Sequence, residues 1–218
     1  MKTPFYSELE ERLNYITHGI GAIISLIGFI VLIYFALDYK DMGVLAGFAV
    51  FGLCMMSVFL SSTMYHWVEH IEWKKTLRVF DHIAIFLMIA GTYTPYLLGN
   101  MREGWGIPLL VIIWSLAIGG IIFKWVIRNQ LSKYEFYSIA FYAGLGMMIL
   151  FFIQPVMATV DFWGVLLLLI GGGFYLVGII FYVIDRIPFN HAIWHLFVIA
   201  GAACHYFSIL YYVRPPMI

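Results

Sequence analysis

The chain has 218 residues, of which 63% are hydrophobic and only 11% charged, so a soluble domain of this size would be left covered in apolar surface and lipid is the expected solvent. Twelve basic residues balance twelve acidic ones, which leaves no strongly basic face and excludes nucleic acid as a partner. Cys54 and Cys204 each sit inside an apolar run, where a thiol behaves as a small hydrophobe rather than as half of a disulfide framework.

The first stretch, Met1 to Asn14, carries Glu8, Glu10 and Glu11 instead of the basic start of a secretory signal, so the apolar run that follows reads as a retained helix. Runs of spanning length then fall at roughly 17–37, 43–66, 80–98, 106–126, 135–153, 162–184 and 190–213. Backbone groups in hydrocarbon must pair within their own segment, and none of these runs alternates in polarity as a barrel strand does. The expected fold is therefore an all-α membrane protein, one seven-transmembrane helix bundle covering the whole chain. Paired glycines inside the runs, such as Gly43 with Gly47 and Gly144 with Gly146, are expected to let helices approach closely.

Basic residues in the short connections set the direction. One side collects Lys2, Arg12, Lys74, Lys75, Arg78, Lys124, Arg128, Lys133 and Arg186, nine in all, against Lys40, Arg102 and Arg214 on the other. The richer side is expected to be cytoplasmic, with the amino terminus inside and the carboxyl terminus outside a cell membrane.

That direction gathers polar side chains at one level. His18 enters the first span, His66 ends the second, Asp81 and His82 open the third, and His191 and His195 lie in the first turns of the seventh, all towards the cytoplasmic leaflet. Ionisable groups inside a membrane are functional candidates by default. His191 and His195, four apart on a helix, stack on one face and can chelate one metal. His66 would complete a three-histidine zinc site with an open fourth position for water. The alternative is that these imidazoles are interfacial anchors or packed, hydrogen-bonded side chains. His70 lies among Glu69, Glu72 and Lys74 and reads as solvated. His205 is about 21 Å from His191 along the helix, too far to join the same site. A two-haem arrangement lacks a partner helix with histidines at both ends, and retinal lacks a lysine in the last span.

Taken together these residues resemble the haemolysin III branch of the progestin and adipoQ receptor (PAQR) family. The resemblance rests on Glu11, Asn14, Thr17, His18 and Gly19, on Ser62 with His66, on Asp81-His82, on Ala90-Gly91-Thr92-Tyr93-Thr94-Pro95, and on Pro188 with His191 and His195. It implies a seven-helix fold with a cytoplasmic amino terminus and a Zn2+ ion held by His66, His191 and His195. In the related adiponectin receptors an aspartate matching Asp81 and a serine matching Ser62 sit beside the metal, and that site is associated with ceramide hydrolysis. The haemolysin name implies lytic activity.

The expected function is a zinc-dependent hydrolase acting on an amide or ester of a membrane lipid. Asp81 would take or orient the proton of a water, and Ser62 would donate to the developing oxyanion. Their structural alternatives are a partner that fixes an imidazole tautomer and a hydroxyl bonded back to its own helix. Glu11, Asn14 and His18 share a face at the cytoplasmic mouth, with capping of the first helix the favoured reading for Glu11. The competing functions are a membrane-lytic or pore-related protein with structural zinc, and a receptor of a lipid or of membrane state.

Overall fold

A computed structural model describes residues 6–216. The helices are α1 (Glu8–Asp38), α2 (Met42–Trp67), α3 (Ile71–Leu98), α4 (Ile107–Val126), α5 (Glu135–Met147), α6 (Ile153–Thr159), α7 (Phe162–Val183) and α8 (Asn190–Tyr212). Among the described residues, seven helical segments are long and apolar enough to cross a membrane, because α5, a tight 3-10 stretch at Met148–Phe152 and α6 form one continuous crossing. Ile23, Ile30, Val111 and Ile180 point outward more than half exposed, as a lipid-facing surface requires.

Two helices begin earlier than the apolar runs suggest. Ser7 accepts a hydrogen bond from the Glu10 amide at 3.3 Å while Glu10 accepts one from the Ser7 amide at 3.0 Å, a reciprocal cap that starts α1 at Glu8 rather than near 17. Capping thus falls to Ser7 and Glu10, and Glu11 is released for another use. The α3 helix starts at Ile71, its first turns carrying Glu72, Lys74, Lys75 and Arg78. Such residues are invisible to a hydropathy reading but compatible with helix outside hydrocarbon. The opposite difference occurs at the fifth crossing, which continues to Thr159 through a break that its apolar residues do not announce.

Packing is most extensive between α1 and α2, α2 and α3, and α7 and α8, and α1 also meets α8 to close the ring. At α2 and α3 the approach depends on Gly47, where an added Cβ would sit 2.7 Å from the Pro95 Cα. The α5 crossing touches its neighbours sparsely. Tyr93 compensates the broken backbone there: its hydroxyl donates to the carbonyls of Gly146 and Leu145 at 2.7 and 3.1 Å and accepts from the Ile149 amide at 3.1 Å. Gly144, Gly146, Gly172 and Gly173 meet nothing within 4 Å. Contrary to expectation Gly144 and Gly146 do not bring helices together, and Gly146, Gly172 and Gly173 line a cavity of about 360 Å³ inside the bundle.

Candidate metal centre

The cavity ends against a cluster of imidazoles near the amino-terminal end of the bundle. His66 closes α2, and His191 and His195 occupy the first two turns of α8. The last helix is entered through Phe189, whose left-handed φ of 57° costs a bulky L-residue about 1–2 kcal/mol and lies two residues before His191. Ring centroids are 5.0 Å apart for His66 and His191, 5.2 Å for His66 and His195, and 4.6 Å for His191 and His195. One nitrogen from each of the three falls within 4.8 Å of the others, close enough for a single metal ion to reach all three.

Hydrogen bonding decides which nitrogens face inward. His66 Nδ1 meets Glu11 Oε2 at 2.7 Å, His191 Nδ1 meets the Tyr6 hydroxyl at 2.9 Å, and His195 Nδ1 meets the Asn14 carbonyl at 3.2 Å and Thr17 Oγ1 at 3.1 Å. Thr17 spends its own proton on the Leu13 and Asn14 carbonyls, so it accepts from His195. One tautomer satisfies all three rings, with Nδ1–H donating outward and Nε2 left as a bare lone pair. Among the described residues His66 Nε2 is buried without a hydrogen-bond partner. An orphaned acceptor of this kind, flanked by two more imidazoles, is what a divalent borderline metal takes as a ligand.

The ring of outer partners is itself tied together. Glu11 Oε1 lies 3.1 Å from the Lys74 ammonium, which also donates to the carbonyls of Tyr65, His66 and Val68. Glu11 therefore holds α1, α2 and the start of α3 at the cage. Tyr6 packs its ring 4.7 Å from His191 and 5.7 Å from His66 and covers the cage from the amino-terminal side. Burial pushes the Tyr6 phenol well above its usual value, so it remains protonated across the physiological range.

The other expected residues divide into two groups. His18 stacks on His195 with centroids 3.5 Å apart and 16° between planes, both of its nitrogens without hydrogen-bond partners among the described residues, and it walls the cavity rather than joining the cage. Asp81 and Ser62 line the same cavity and lie beside one another. Ser57, Ser61 and Thr63 bond back to carbonyls of α2, but Ser62 Oγ is left without a well-formed bond. His82 also lines the cavity but stays outside the three-histidine group: its Nδ1 faces the Lys124 ammonium at 3.3 Å and its carbonyl accepts from Tyr142 at 2.8 Å. Sequence reasoning missed Tyr6, Lys74 and Lys124. Only Lys124 offered a local signal, a charge ending an apolar run and 1% exposed in the fold.

A family model described as haemolysin-III related matches residues 6–206. The chain belongs to the haemolysin III family. It is 45% identical over 206 residues to the protein named Hemolysin-3 in Bacillus cereus, covering 94% of this chain and 93% of that one. It is 42% identical over 210 residues to a Hemolysin-3 homolog of Bacillus subtilis strain 168, covering 96% and 97%. The human protein named monocyte to macrophage differentiation factor matches at 34% over 175 residues, 75% of this chain and 69% of its own length. This haemolysin III member is thus an integral membrane protein whose three-histidine group lies within the matched region.

Proposed function

We propose that this haemolysin III protein is a zinc-dependent hydrolase of an amide or ester of a membrane lipid, with its amino terminus and metal site on the cytoplasmic side of the cell membrane. The observation that carries the reading is the cage itself, three buried imidazoles with their outer nitrogens engaged, beside a cavity of about 360 Å³ whose walls are mostly apolar. The excess of basic residues on one side, nine against three, supports the orientation.

A zinc ion held by His66, His191 and His195 would supply Lewis acidity, acidifying water and polarising a carbonyl. The chain's residues do the rest. Asp81, on the cavity wall, accepts a proton from the attacking water and returns it to the leaving nitrogen or oxygen. Ser62 Oγ–H, lacking another strong partner, donates to the oxygen on which charge develops. The apolar wall receives the acyl chain, and Tyr6 restricts water entry from the amino-terminal side.

Metal analysis of purified protein tests the cage and a lipid turnover assay tests the chemistry. His191→Ala should lose the bound ion, whereas Asp81→Ala should keep it and lose turnover by about 10²–10⁴-fold. Zinc unchanged in the His191 variant removes the metal reading, and retained zinc without turnover of ceramide or phospholipid removes the enzyme. The name of the Bacillus cereus relative favours a second reading, a membrane-lytic protein in which the ion only ties α2 to α8. Leakage of liposomes without product formation selects it.

A further inference from the structure

The proposed hydrolysis uses one end of the cavity and leaves a second polar pair unexplained. His205 lies ten residues beyond His195 on α8, about 15 Å further along the helix axis. It is 7% exposed, and its Nε2–H donates to the Leu168 carbonyl of α7 at 3.1 Å. That bond fixes the tautomer, so Nδ1 is a bare acceptor, and among the described residues no donor reaches it. Tyr175 on α7 presents the reverse case, a buried phenolic O–H with no acceptor. The two rings sit 5.4 Å apart at 72°, and both residues line the cavity.

Each ring rests in a notch provided by the opposite helix. Tyr175 follows Gly171 by four residues on α7, and His205 follows Gly201 by four on α8. An added Cβ at Gly171 would strike the His205 ring, its Nε2 only 2.6 Å away, and one at Gly201 would meet the Tyr175 ring at 2.8 Å. Between this pair and the three-histidine cage the wall is apolar, with Ile85, Met88, Leu176 and Val198.

Leaving a buried polar group unsatisfied is costly, so a ligand that answers both groups is favoured. The pair lacks one donor and one acceptor. A hydroxyl supplies both from a single oxygen, donating to His205 Nδ1 and accepting from Tyr175 Oη–H; a carboxylate has no proton to give and an ammonium no lone pair. We propose that His205 and Tyr175 form a hydroxyl-recognising subsite at the end of the cavity remote from the cage, selecting a single-chain amphiphile with a hydroxyl about 15 Å from its head group. This rests on the reading that the cavity receives a membrane lipid.

The test is equilibrium binding of stearate and 12-hydroxystearate to the purified full-length protein in a neutral detergent. Wild type should prefer the hydroxy acid about tenfold, the effect of one to two net hydrogen bonds. Tyr175→Phe keeps the ring in its notch but leaves only the bond to His205 Nδ1, so it should cut the preference to about threefold, with stearate affinity unchanged. The isomer 2-hydroxystearate, whose hydroxyl sits beside the head group, should bind like stearate. Equal binding of stearate and 12-hydroxystearate by wild type, or a preference undiminished in Tyr175→Phe, overturns the subsite and leaves a buried water bridging the pair. Absence of binding by either acid overturns the lipid reading of the cavity along with it, whereas stearate binding without preference sinks the subsite alone.

Discussion

Tyr6 shows how much one side chain outside the bundle contributes to the centre. In the tautomer the cage requires, His191 Nδ1–H donates to the Tyr6 oxygen at 2.9 Å, which leaves Nε2 bare and fixes the ring plane. Tyr6→Phe retains the ring against His191 and His66 but removes the acceptor. Metal affinity should fall about 10–100-fold, the usual effect of losing an outer hydrogen-bond partner of a ligand histidine. A titration in which Tyr6→Phe binds zinc as tightly as wild type would assign the phenol to packing alone. His66 depends in the same way on Glu11, whose carboxylate is held in turn by Lys74.

Among the elements, α2 and its neighbours bear the closest packing. Gly47→Val would force branched carbon onto the Pro95 backbone and should lower stability by about 1–3 kcal/mol, read as the thermal midpoint in detergent. A midpoint equal to wild type would mean that α2 and α3 slide apart without cost. At the same end of α2, Asp41 caps the helix through the Val44 amide at 2.9 Å and takes both guanidinium nitrogens of Arg102 at 2.9 and 2.8 Å. The hydrogen bond from Arg102 holds the Asp41 carboxyl below the usual carboxylate value. A carboxyl with a depressed folded value contributes stability above its unfolded value of about 3.9 and loses it as pH falls through the folded one. Wild type should therefore lose stability relative to Arg102→Ala as the pH drops below about 4, with a gap at neutral pH of about 1 kcal/mol. A gap independent of pH would contradict the pairing.

The seven crossings were legible in the sequence because each apolar run is long and bounded by charge, and the cage because His191 and His195 stand four apart beside a span end. Helix ends were less legible. The Ser7–Glu10 cap and the charged first turns of α3 extend helices beyond hydrocarbon, and hydropathy marks where lipid begins rather than where helix does. The break at Met148–Phe152 left no trace, since its residues are as apolar as their surroundings and its compensation comes from Tyr93 on another helix. Taken locally, Glu11 suggests a helix cap. Its partner, His66, is 55 positions away, a pairing visible only in the assembled fold.

The histidine cage draws its members from opposite ends of the chain, with the Tyr6–His191 bond bridging 185 positions. During synthesis the first six crossings can insert while His66 waits with its lone pair unanswered, and only arrival of the last helix brings His191 and His195 to it. On the proposed metal reading, loading would report finished assembly: a chain arrested before α8 should stay empty, and a filled protein would be one whose two ends have already met.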